Sequence, residues 1–265
     1  MYNSLQLAKK YVHYYLTASN GRGHGIHSPF VFDFVKNVLR DKKEYEYYMA
    51  IEATRKDLLK NRTAIEINDL GAGSAVSTTN KRRVADIAKV SLKPAKYAQL
   101  LSRIVNHYKP QTILELGTSL GITTSYLAYG NPVSKIYTLE GSTAIAEIAG
   151  QTFRQTNLTN IELIEGEFGE VLPAVLQKLN AIDLAFIDGN HRAAPTLDYF
   201  KQLLRHSGTS TLLIFDDIHW SKEMEEAWNK IKEHPSVTST IDLFFIGIVL
   251  LNPDLKTKQH FTIRF

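Results

Sequence analysis

The stretch 111–126, QTILELGTSLGITTSY, constrains this chain more than any other. Residues 112–116 read as a buried strand, apolar except for Thr112 and Glu115, running straight into glycine. A tight turn and a helix from about Ile122 follow. Gly117 and Gly121 at such a turn let backbone amides approach a ligand closely. Glu115 is the second constraint. A carboxylate inside an apolar strand end is costly unless a cation or hydrogen-bond donor meets it, and an ammonium group on a ligand would serve.

From residue 111 the pattern alternates strand and helix, which predicts an α/β fold with a doubly wound, mostly parallel sheet. Further strands are expected at 135–139, 161–164, 182–187 and 210–215, with a helix over 221–233. Stretches 241–251 and 261–265 are expected to close the sheet as an antiparallel pair. The first ninety residues read as a helical N-terminal extension, so a boundary falls near residue 90, between an extension (1–90) and an α/β domain (91–265). A first helix over 1–20 would turn Leu5, Val12, Tyr15 and Leu16 inward. Ser28-Pro29 caps a second helix. Helices over 44–60 and 94–108 follow. The glycine loop with His24 and His27 lacks metal-site spacing and reads as a polar loop. The loop 69–74, with Asp69, Gly71 and Gly73, copies the main turn but has no apolar helix behind it.

Composition sets the remaining bounds. A hydrophobic content of 44% suits a globular chain of 265 residues. The apolar run 243–251 is far too short to span a bilayer. The first residues show no secretory signal, and zero cysteines exclude disulfides and thiolate chemistry, so a cytoplasmic enzyme is expected. Residues 1–110 carry 19 Lys and Arg against 9 Asp and Glu. That excess would suit RNA; scattered lysines on a solvated helical surface are the plainer reading.

Strand ends carry the functional signal. In open α/β sheets ligands bind outside the carboxyl ends of the strands. Acids stand there four times: Glu115, Glu140, Asp188 and the pair Asp216-Asp217. Glu140 follows the second strand some twenty residues after Gly117, where such folds present a carboxylate to ribose hydroxyls. Adenosine and NAD both offer that diol. The turn reads E-x-G-x-x-x-G, with Ser119 where the dinucleotide fingerprint has glycine, and this disfavours NAD. If the fourth and fifth strands are neighbours, Asp188, Asp216 and Asp217 converge. Three such carboxylates require a cation, and an oxygen-only set favours Mg²⁺, Mn²⁺ or Ca²⁺.

The turn resembles motif I of the class I S-adenosylmethionine-dependent methyltransferases. AFIDGNH (185–191) and LLIFDDIHW (212–220) are similar to the two metal motifs of the catechol O-methyltransferase-like family. The resemblance covers roughly residues 93–265. It implies a Rossmann-like methyltransferase sheet and an S-adenosylmethionine site on Glu115, Gly117, Thr118, Ser119, Gly121 and Thr123. Glu140, Gly141 and Ser142 would continue that site, with Gly166, Glu167 and Phe168 near the adenine and Asp188 at its edge. It further implies a divalent cation on Asp188, Asp216 and Asp217, and O-methylation of a small hydroxylated molecule. The family's catalytic lysine position holds His191, an imidazole that can accept a proton at neutral pH. His219 is a second candidate for base or substrate contact. Competing readings are a tRNA or rRNA methyltransferase on the same fold, an NAD-dependent oxidoreductase and a non-catalytic module. No membrane partner is expected; a homodimer is compatible with the sequence.

Overall fold

The computed structural model describes residues 1–19, 28–67, 81–252 and 257–265. His24, His27 and the loop 69–74 lie outside the described residues. Helices α1 (Ser4–Thr17), α2 (Pro29–Phe34) and α3 (Tyr47–Lys60) open the chain, α2 running on into a π-turn over Val35–Leu39. An antiparallel pair, β1 (Ala64–Glu66) and β2 (Lys81–Arg83), precedes α4 (Val84–Ser91) and α5 (Ala95–Tyr108). Alternation then sets in: β3 (Thr112–Leu116), α6 (Ile122–Gly130), β4 (Lys135–Glu140), α7 (Thr143–Gln155), β5 (Ile161–Glu165) and α8 (Phe168–Lys178). It continues through β6 (Ile182–Ile187), α9 (Ala193–Leu204), β7 (Ser207–Asp216) and α10 (Lys222–Glu233). Three strands close the chain: β8 (Ser239–Asp242), β9 (Ile246–Leu250) and β10 (Gln259–Thr262).

Among the described residues β3 to β10 form one mixed eight-stranded sheet, mostly parallel, as the alternation predicts. Two compact units share the chain: Met1–Asp41 with Leu176–Phe265, and Lys42–Val175. Residues 1–90, read from sequence as one extension, are thus divided between them.

In the unit Lys42–Val175 the strand order is β3-β4-β5, all parallel. Helices α3, α4 and α6 share one core, in which Ile51, Val84, Leu120 and Tyr126 are buried. The tyrosines of α3 pack into it. Tyr47 stacks on Tyr129 at 5.1 Å, and Tyr48 meets Tyr126 edge-on at 5.4 Å. The Tyr126 hydroxyl donates to Glu52 at 2.8 Å, and Glu52 also takes Arg55 at 2.9 Å.

In the other unit the order is β10-β8-β9-β7-β6. Two expectations fail here. The apolar stretch 241–251 is not one strand but part of a hairpin, β8 (Ser239–Asp242) with β9 (Ile246–Leu250). Phe244 turns the chain with φ 72°, its N–H donating to Asp242 Oδ1 at 2.8 Å. The last strand, β10, therefore pairs with β8 in parallel, and β9 supplies the antiparallel contacts. Helix α1 forms, but Leu5, Val12, Tyr15 and Leu16 are exposed, and the inward side chain is Tyr14. The Tyr14 hydroxyl donates to the Ile263 carbonyl at 2.5 Å and accepts from the Phe265 N–H. Beside it Tyr11 meets Phe244 edge-on at 5.1 Å. The buried face is the one whose tyrosine hydroxyl finds both an acceptor and a donor.

Candidate active site

Strand β3 is fully buried at Ile113, Leu114, Glu115 and Leu116. It ends because the backbone turns left-handed at Gly117 (φ 104°), Ser119 (φ 49°) and Gly121 (φ 80°). Glycine adopts this region freely; Ser119 needs support. Its N–H donates to Glu140 Oε2 at 2.9 Å. Gly117 and Thr118 donate their N–H groups to the Leu139 carbonyl at 3.0 and 3.1 Å. The turn is thereby bonded to the end of β4. A side chain at Gly121 would meet the Phe153 ring at 2.7 Å. Helix α6 begins at Ile122, with Thr123 buried in its first turn.

Glu140 is the junction of this arrangement. Its Oε2 takes the Ser119 N–H and its Oε1 the Ser142 N–H at 3.0 Å. Burial raises its carboxyl above the usual range, opposed by the N–H donors of Ser142, Ser119 and Gly141. Its carbonyl accepts the Gly166 N–H at 2.9 Å, which ties the end of β5 to the same point. Gly166 is left-handed (φ 140°), and a side chain there would strike Val171. Glu167 and Phe168 follow at the start of α8, both half-buried. Glu115, Gly117, Thr118, Ser119, Glu140, Gly141, Ser142 and Gly166 are thus brought together by hydrogen bonds within one unit.

Glu115 is wholly buried. Its Oε2 accepts from Thr124 at 2.5 Å and Thr138 at 2.6 Å, and Thr138 also bonds Thr118. Its Oε1 is buried with no partner. Burial pushes the carboxyl up to about 7, against the two threonine hydroxyls. Sequence reasoning missed Thr124 and Thr138. One signal existed: Thr138 is a polar residue inside an apolar strand, in register with Glu115.

The residues suit an S-adenosyl ligand. The unpartnered Oε1 of Glu115 fits an ammonium group, and Glu140, oriented by backbone N–H groups, retains acceptor capacity for a diol.

The remaining acids belong to the other unit. Register pairs Ile187 with Phe215, so Asp188 and Asp216 leave adjacent parallel strands at one level, as expected. Asn190 (φ 68°) and His191 (φ 27°) form a left-handed turn, and His191 Nε2 lies 3.7 Å from Asp188 Oδ1. The cap of α9 is Arg192, so His191 does not cap that helix. The expected cation trio is not gathered. Among the described residues no three His, Cys, Asp or Glu side chains form a metal-binding group. Asp217 has left the strand: its backbone is left-handed (φ 53°) and its N–H donates to the Phe245 carbonyl at 2.7 Å. The residues do not fit a preformed three-ligand cation site.

His219 is engaged elsewhere. Its Nε2 lies 2.8 Å from Asp242 and its Nδ1 2.9 Å from Glu225. Burial lowers its pKa, but the two carboxylates outweigh that and raise it. Glu225 also receives Tyr2 at 2.7 Å and Lys10 at 3.0 Å. With both ring nitrogens held, His219 is a structural clamp rather than the base or substrate contact expected.

Known proteins match this layout. A family model described as a methyltransferase domain matches residues 114–218. A tRNA (guanine-N(7)-)-methyltransferase of Mycoplasma mobile is 32% identical over 144 residues, covering 50% of this chain and 72% of that protein. The transmembrane O-methyltransferase homolog of Rattus norvegicus is 33% identical over 94 residues; the chain spans only 36% of its length. An O-methyltransferase from Bacillus cereus, solved in complex with SAH, shares the fold at TM-score 0.57 and 20% identity, covering 82% of this chain and 96% of that one. The O-methyltransferase TomG of Streptomyces achromogenes, in complex with SAM, does so at 0.56 and 18%, over 79% and 91%. Among the described residues no helix is long and apolar enough to cross a membrane. Shared sequence with a methyltransferase over most of that relative's length, on the sheet and turn described above, means that the chain belongs to the class I S-adenosylmethionine-dependent methyltransferases.

Proposed function

We propose that this enzyme methylates a hydroxyl of a small molecule. The observation that carries the cofactor half is Glu140, fixed by the Ser119 and Ser142 N–H groups with lone pairs to spare. Its role is to accept from the two ribose hydroxyls. Glu115 Oε1 faces the ammonium group. Backbone at Gly117, Thr118, Ser119 and Gly121, with Thr123, surrounds the methionyl end; Gly141 and Ser142 follow the ribose, and Gly166, Glu167 and Phe168 the adenine. Bound there, S-adenosylmethionine supplies a sulfonium methyl carbon, a strong electrophile that needs an electron-rich acceptor.

His191 takes the proton from the acceptor hydroxyl, and Asp188, 3.7 Å from its Nε2, balances the charge the ring gains. Proton acceptance of this kind is worth roughly 10²- to 10⁴-fold in rate. His191→Ala is therefore expected to lower turnover by at least about 100-fold while S-adenosylhomocysteine affinity, read by calorimetry, stays within about threefold. Undiminished turnover would remove His191 from the scheme; failure of the wild type to bind S-adenosylhomocysteine would remove the cofactor site. Because Asp188, Asp216 and Asp217 are not gathered, no step runs through a cation. Titrating Mg²⁺ into the S-adenosylhomocysteine complex tests whether ligand binding assembles such a site.

A second reading has one specific support, the tRNA (guanine-N(7)-)-methyltransferase among the relatives. Methyl incorporation into unmodified tRNA, with none into a panel of catechols and phenols, would establish it over the first.

A further inference from the structure

An open groove of about 480 Å³ lies in the unit Lys42–Val175, and its lining includes none of the turn or strand-end residues described above. Lys60, Arg62, Arg83 and Lys89 line it, with Asp86 as the single acid among the described lining residues. Lys60 is the last residue of α3; Arg83 ends β2 and caps α4. Backbone bonds hold these separate segments together. Ala85 N–H donates to the Asn61 carbonyl at 2.8 Å, Val84 N–H to the Thr63 carbonyl at 3.0 Å, and Ala64 is in register with Arg83. The sequence separates the two cationic groups by some twenty residues; the fold puts them on one groove.

Exposed lysines and arginines are ordinary on a protein surface. Convergence of four cations on one counter-charge is not, because like charges repel. Asp86 is engaged by Lys89 at 3.0 Å. Lys60, Arg62 and Arg83 pair with no carboxylate among the described residues. All four cations are exposed. A site for a single phosphate encloses the anion among buried donors; a phosphate chain is instead tracked by cations along an open groove. The two guanidinium groups can each grip phosphate oxygens through paired N–H donors. Among the described residues the lining contains no aromatic side chain to stack on a base.

We infer that this groove docks the phosphodiester backbone of RNA, contacting phosphates without reading sequence. This goes beyond the methyl-transfer reading and holds whichever atom accepts the methyl group.

Fluorescence anisotropy of a labelled 20-nucleotide single-stranded RNA with the full chain tests it. Four phosphate contacts predict that affinity falls roughly 50-fold or more between 50 and 200 mM NaCl. Replacing Arg62 and Arg83 together by Ala should lower affinity at 50 mM at least about tenfold and flatten the salt slope by about 0.7 per cation removed. Both residues are exposed, and unchanged binding of S-adenosylhomocysteine will show that the variant is folded. Lys60→Gln with Lys89→Gln should act in the same direction. No binding at 50 mM, or the wild-type slope in both double variants, overturns the inference and leaves the cofactor reading intact.

Discussion

Glu140, at the end of β4, and Asp188, one residue past β6, both stand at the carboxyl ends of strands, yet their carboxylates face different groups. Glu140 is held by backbone: the N–H of Ser119 from the preceding turn and the N–H of Ser142 two residues on. Asp188 meets a side chain, His191, across 3.7 Å. Side chains serve in both regions as well: Glu115 is braced by the hydroxyls of Thr124 and Thr138 from the adjoining helix and strand, and the Asp242 and Glu225 carboxylates close on His219 and Lys10. Backbone donors come with the strand–turn–helix geometry itself, so a site built on them is formed once the local fold is formed. Side-chain partners depend on rotamers and on chain brought in from elsewhere, which suits proton exchange better than rigid ligand holding.

The largest test of that contrast is Glu140→Ala. It strands two N–H groups and removes a charged acceptor, so S-adenosylhomocysteine affinity should fall at least about 100-fold by calorimetry. Asp188→Ala should leave it within about threefold. Equal losses would erase the distinction between the two regions.

Glu115 sharpens the picture through pH. Its carboxyl is raised to about 7 in the folded chain, so the folded state binds an extra proton between the ordinary carboxylate range and about 7. Stability of the ligand-free protein should therefore fall as pH rises across that window, by about 3 kcal/mol in all, and level off above it. Urea melts from pH 5 to 8 read this directly. Glu115→Gln should flatten the profile; a slope that persists in the variant would place the titration elsewhere.

The smallest effect belongs to the side-chain clamp. His219 has a raised pKa, so its contribution is complete below its ordinary value near 6.5 and is lost as pH rises through the raised value. His219→Gln should cost about 1 kcal/mol at pH 6 and less at pH 9, measured by urea melts. A cost independent of pH would mean that shape, not charge, holds this corner.

Sequence alone determined the alternation of strands and helices, the tight turn at Gly117 and Gly121, and the strand-end acids. These follow from local rules: apolar runs bounded by glycine, and a chain that turns where only certain residues can. Glu140 was legible because its partners lie in the turn it follows and the one it precedes. Tertiary structure decided the rest. It buried Tyr14 of α1 in place of Leu5 and Val12, because a hydroxyl partner at Ile263 arrives only when the ends of the chain meet. It broke 241–251 at Phe244 into part of a hairpin, separated Asp217 from Asp216 by a turn, and gave both nitrogens of His219 to carboxylates. Periodicity reports which residues can be buried or charged at a given place; which partner meets them is set by segments distant in sequence, whose approach no local pattern records.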